Sequence, residues 1–138
     1  MNSGSAAPWP RKFMAIALVG LLWNGFGAYL YVMTRLGNPD LMAGVPAEMQ
    51  AYIANPPIWA DIGWGLGIWG SFAGSVLMLL RSRLAGPAFL VSLLGAIASF
   101  AGQAMAGVLD APMALFIVAV IVFLWQSCRR SLAAGVLH

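Results

Sequence analysis

Apolar residues run almost unbroken through four stretches of the chain, roughly 13–33, 58–80, 87–109 and 111–127, and the polar residues gather between them. At about 1.5 Å of rise per residue, each stretch is long enough as a helix to cross ~30 Å of hydrocarbon, the last one barely. The final two form one run interrupted only at "LDAPM", where Asp110 can cap a new helix and Pro112 lies in its first turn, so the chain reverses there. A single overlong span would instead bury Asp110 in lipid. The pattern predicts an all-α membrane protein, a bundle of four transmembrane helices forming one domain over residues 1–138.

The segment 34–57 between the first two spans is the one sizeable piece outside the bilayer. Within it, "GVPAEMQAYIANPPI" has Pro46 at a helix start and Val45, Met49, Tyr52 and Ile53 at helical spacing, which predicts a short amphipathic helix at the membrane surface. Asn55-Pro56-Pro57 ends it and directs the chain into the second span. The segment serves either as a cover over the bundle or as a lid or docking surface.

Small residues recur inside the spans with a period of their own. In the second span Gly63, Gly67, Gly70 and Gly74 follow one another at intervals of 4, 3 and 4, and in the third Ala88, Ser92, Gly95, Ser99, Gly102 and Ala106 do the same. Residues at that spacing share one helix face. Two such faces joined by the short "RSRLAG" turn can approach closely, so that van der Waals contact replaces the hydrophobic driving force that is absent between helices in lipid. The 3.5-residue period predicts a left-handed, slightly crossed antiparallel pair. The first span carries Ala17, Gly20, Asn24, Gly27 and Tyr31 on one side, whereas the fourth is bulky nearly all round and is expected to be the most lipid-exposed. Trp9, Trp59 and Trp125 fall near span ends, where indoles favour the interface; Trp23, Trp64 and Trp69 lie deeper and read as packing aromatics.

Composition agrees with the pattern: 62% of the residues are hydrophobic, 8% are charged and the mean hydropathy is +0.87. The net charge of +3 reports topology. Arg11 and Lys12 precede the first span, Arg81 and Arg83 join the second to the third, and Arg129 and Arg130 follow the fourth, so that Arg35 alone lies on the other side. The positive-inside rule then places both termini in the cytoplasm. No nucleic-acid partner is implied, because these cations mark span ends and form no binding stripe. A cleavable signal peptide is the competing reading of residues 11–33, but the run is longer than a signal h-region and no clear A-x-A site closes it.

Intramembrane polar groups are where function is sought first. Asn24, Asp61 and Gln103 form the candidate polar pathway, which would be a small polar cavity opening outward if the three converge. Two readings of Asp61 stand: an interfacial acid in the first turn of its helix, or a protonatable or cation-binding group. Asn24 and Gln103 read as hydrogen-bonding groups between helices, at about 0.6 kcal/mol each.

Enzyme chemistry is not expected. The lone Cys128 makes no thiol pair, His138 is the single histidine, and Walker, dinucleotide and H-E-x-x-H patterns do not occur. Neither a metal nor a cofactor is called for.

"LLWNGFGAYLYVM" followed by "PPIWADIGWGLGIWGSFAGSVLMLLRSRLAGPAFLVSLLG" resembles the small four-span bacterial inner-membrane proteins that often carry the label "sugar transporter". The resemblance covers about residues 13–100; Asn24, Trp59 and Arg83 stand at its signature positions. It implies a multi-pass protein of the bacterial inner membrane and supplies no catalytic or substrate residues. Two functions are expected on these grounds. One is a small transporter-like protomer, which with four spans would pair as a homodimer to enclose a path. The other is a non-catalytic accessory or scaffold subunit that binds another membrane protein. The lipid bilayer is the partner common to both.

Overall fold

A computed structural model describes residues 10–138; the expectation for Trp9 falls outside them. The described residues form six helices: α1 (Arg11–Arg35), α2 (Pro39–Ala43), α3 (Ala47–Ala54), α4 (Ile58–Leu79), α5 (Ala85–Met105) and α6 (Ala111–Ala133). The four long ones are each apolar and long enough to cross a membrane, and together they make a four-helix bundle. Residues 34–57 hold two short helices where the sequence pattern gives one. Asn38 caps the additional helix by accepting from the Leu41 N–H at 3.0 Å, with Pro39 as its first residue.

Boundaries follow from local chemistry. Asp110 accepts from the Met113 N–H at 3.3 Å, so α6 starts at the reversal seen in "LDAPM". Its end lies beyond the apolar run, at Ala133, because Ser127-Cys128-Arg129-Arg130 continue the hydrogen-bonded helix past the greasy part. α5 stops at Met105, short of the apolar run's end at 109, because Gly107 takes a left-handed φ of 76° and closes the helix. Each long helix ends this way, with Gly37, Arg81, Gly107 or Gly135 as the left-handed residue. At Arg81 the conformation is held from outside: its carbonyl accepts from the His138 N–H, and its Nε donates to the Val136 carbonyl, both at 3.0 Å. Residues 136–138 thereby clasp the α4–α5 turn, with Val136 and Leu137 buried.

α4 and α5 share by far the largest contact, α1 packs on α4, α6 packs on α5, and α1 and α6 touch only slightly. The α4–α5 seam is built from the small residues. A methyl group on Gly63 would sit 2.7 Å from the Gly95 carbonyl oxygen, and one on Gly95 would sit 2.6 Å from the Gly63 oxygen, so these two backbones touch. Gly67 and Gly70 face the backbones of Ala96 and Ser92 at 3.2–3.3 Å, and Gly74 lies under the ring of Phe89. Gly102 receives Ala60 and the Tyr52 hydroxyl. On α5, Ser92, Gly95, Ser99 and Gly102 are buried on this side, whereas Ala106 is exposed. α6 has the smallest buried share of the four spans.

The bundle has two different halves. Toward the end that carries Arg11, Arg81 and Arg129, called here the basic end, Phe13, Ala17, Met78, Phe89, Leu124, Cys128 and Leu137 form one buried cluster. Toward the opposite end, which carries α2 and α3 and is called the loop end, α4 and α5 remain in contact while α1 and α6 diverge and leave open space between them.

Candidate functional site

A cavity of about 600 Å³ occupies the loop half and is lined by all four long helices. Its floor is formed by Asn24, Ser71 and Ile121, its walls by Trp23, Phe26, Ile68, Phe100 and Ile117, and its rim by Thr34, Gln103 and Asp110. It lies where α1 and α6 diverge. Trp23 and Phe116 bridge that seam edge-to-face, with ring centroids 5.4 Å apart. A second space of about 180 Å³ adjoins it under α3 and shares Thr34, Met49, Trp64, Ser99 and Gln103 with the first. Val45, Met49, Tyr52 and Ile53, the residues at helical spacing in the loop, all line this second space, so α3 lays its apolar side against the ends of α4 and α5.

The floor is a hydrogen-bond network across three helices. Asn24 Nδ2 donates to the Ser71 carbonyl at 3.1 Å and to Ser75 Oγ at 2.6 Å. Ser92 Oγ donates to the Gly67 carbonyl at 2.7 Å and bonds the Ser71 hydroxyl. Both amide protons of Asn24 are thus used. The carbonyl of Ser71 can only accept, so a flipped amide would set oxygen against oxygen, and the orientation of the side chain is fixed.

The rim carries the site's ion pair. Arg35, in the last turn of α1, meets Asp61 in the first turn of α4, with their side chains 39% and 29% exposed. Each charge lies at the helix end whose dipole favours it. The guanidinium also stands over the rings of Tyr31 and Trp64, at 5.2 and 5.0 Å from their centroids, and these two rings touch at 4.4 Å. Gly65 gives Tyr31 room to lie there: a methyl group on it would come within 3.3 Å of the Tyr31 hydroxyl. Under α3, burial first and the negative charge of Asp61 second push the Tyr52 phenol above its ordinary range.

The three residues of the sequence-derived polar pathway therefore do not share one space. Asn24 and Gln103 line the large cavity; Asp61 lines the small one beside Gln103 and is held by Arg35. The sequence reading missed this ion pair and the hydrogen bonds of Ser71 and Ser75, and it placed Ser92 on the packing face without its bonds to Ser71 and Gly67. Arg35 was the one base against the topology rule, at the end of the first span, and Asp61 an acid in the first turn of the next span, a signal that could have joined them. Among the described residues no cluster of histidine, cysteine and carboxylate groups suited to a metal occurs. Comparison of the chain with protein-family models, with curated proteins and with solved structures gives no match.

Proposed function

We propose that this multi-pass membrane protein is a small carrier of the bacterial inner membrane that takes a small molecule into the loop-half cavity. The volume of that cavity carries the reading: about 600 Å³ walled by all four spans falls in the range of small-molecule sites, and a few polar groups face into largely apolar walls. Both termini and the 81–84 turn face the cytoplasm in this reading, so the cavity opens toward the outside. Passage inward requires α1 and α6 to part at the basic end, where Phe13, Ala17, Leu124 and Cys128 pack.

The accessory-subunit alternative draws less support. The glycine face of α4, which a partner helix could have used, is taken up by α5 within the chain.

The test is solute movement in proteoliposomes, read beside melting temperature, for wild type, Asn24→Leu and Gln103→Leu. Carriage predicts that wild type moves at least one small solute and that both variants lower this movement while keeping the fold. A wild type that neither moves nor retains any solute of a broad panel would sink the carrier reading in favour of the accessory one.

A further inference from the structure

Two oxygens in the large cavity lack a hydrogen-bond partner among the described residues. Asn24 is 7% exposed and commits both of its amide protons, yet no group among the described residues donates to its Oδ1; Ser99 is 6% exposed and its hydroxyl makes no hydrogen bond to any of them. Every fully enclosed side-chain nitrogen or oxygen among the described residues has a partner. These two oxygens therefore touch open space: Asn24 lines the large cavity, and Ser99 lines both it and the adjoining space under α3. A buried acceptor held in a fixed direction without a donor is costly, and water or a ligand must supply the missing bond.

Their separation can be read along the helices. Asn24 bonds Ser71 and Ser71 bonds Ser92, so these three share a level. Ser99 lies seven positions farther along α5, which is roughly 10 Å at the rise of an α-helix. Between the two levels the lining is apolar, with Ile68 and Ala96 on it. Charge is absent from that depth: among the lining residues Asp110 alone is ionisable as a carboxylate, and it sits exposed at the rim as the cap of α6. An ion at the floor would give up its water with no counter-charge to replace it. A sugar would fare little better, since most of its hydroxyls would face hydrocarbon walls unpaired.

Building on the carrier reading, we infer that the ligand is an elongated, uncharged molecule with an apolar body, carrying a hydroxyl or amide donor at the end that meets Asn24 Oδ1 and a second neutral polar group about 10 Å away at Ser99 and Gln103. Asn24 acts as an acceptor alone, so a group that can only accept, such as an ether, does not satisfy it.

Three probes of one chain length separate the alternatives: octane-1,8-diol, its dimethyl ether and octane-1,8-diamine, which is a dication at pH 7. Retention by protein-loaded nanodiscs, relative to empty ones, is measured by equilibrium dialysis. The diol is expected to bind about tenfold tighter than either the ether or the diamine, the worth of one net hydrogen bond to a buried acceptor. Asn24→Leu should bring the diol down to the ether's affinity and leave the ether unchanged. Ser99→Ala, a change of one atom, should weaken the diol and the ether alike by a smaller factor, because the Ser99 hydroxyl can donate to either oxygen, and it covers the event that Asn24→Leu fails to fold. Equal binding of diol and ether, or a diamine that binds as tightly as the diol, would overturn the ligand assignment while leaving a carrier of another solute intact. If none of the three is retained and wild type moves no solute in proteoliposomes, both the assignment and the carrier reading fall.

Discussion

In the basic half of the bundle the ring of Phe89 lies against Gly74, with its atoms 2.8–2.9 Å from where a methyl group would stand. In the loop half Gly27 has one atom within 4 Å of the same construction, the tip of Ile68 at 3.7 Å. Both are glycines inside membrane-spanning helices, and they do different things. Gly74 is a receptacle for a bulky knob, and its smallness is consumed by packing. Gly27 lies on a wall, and its smallness leaves room. In lipid, where apolar surface gains little from turning inward, a helix seam closes only where shapes fit. The basic half fits throughout; in the loop half α4 and α5 stay in backbone contact at Gly63 and Gly95, while α1 and α6 stand off from each other around the cavity that Trp23, Tyr31 and Trp64 line.

The sharpest way to break this contrast is a matched pair of substitutions. Gly74→Leu should cost about 3 kcal/mol or prevent folding, since neither Phe89 nor the α5 backbone can give way. Gly27→Leu should change stability by less than about 0.5 kcal/mol, because the new side chain enters open space, and should reduce ligand retention in nanodiscs. Melting in detergent compares the two directly. Equal losses would mean that the halves are packed alike.

A smaller effect is expected from removing bulk. Phe89→Ala should cost roughly 2 kcal/mol, with the cavity contribution dominating because the alternative surrounding is lipid rather than water. Ile117→Ala, on the wall of an existing cavity, should cost under about 1 kcal/mol. Chemical denaturation in mixed micelles would show the order, and an Ile117→Ala loss as large as that of Phe89→Ala would contradict it.

The smallest effect belongs to the rim. Asp61→Asn removes a partly exposed ion pair, for which about 0–1 kcal/mol is the usual worth, and Arg35 keeps its seat over Tyr31 and Trp64. Stability should fall slightly, with the fall shrinking further in high salt. A loss of several kcal/mol would show that the pair holds α1 to α4 far more firmly than its exposure allows.

Much of this architecture is legible in the residues. The four spans follow from apolar length, the reversal at Asp110 and Pro112 from capping chemistry, and the α4–α5 seam from the 4-3-4 spacing of small residues. Each of these depends on neighbours within a turn or two of helix. What escaped depends on partners far along the chain. Ser71 and Ser75 look like ordinary helix serines, which usually bond a carbonyl of their own helix, until Asn24 is placed opposite them. Arg35 and Asp61 pair because α1 and α4 end at the same height, which spacing within either helix does not report. Asn38-Pro39 was a readable helix start, overlooked because the apolar periodicity of 45–53 dominates that loop. The separation of Asp61 from Asn24 has the same origin: three polar residues in three spans converge only if the helix rotations agree, and the rotation of α4 is set by its glycines.

Cysteine accessibility tests the two-half account most directly. In a Cys128→Ala background, Ser99→Cys places a thiol on the cavity wall and Ser92→Cys places one in the sealed α4–α5 seam, each with a change of one atom. The reagent is a small methanethiosulfonate, which needs a thiolate and therefore water at the site. The account predicts that the thiol at 99 is modified in the folded, membrane-embedded protein and that the thiol at 92 is not until the protein is unfolded. Modification of both at similar rates, or of neither, would contradict a bundle solid at its basic half and open at its loop half.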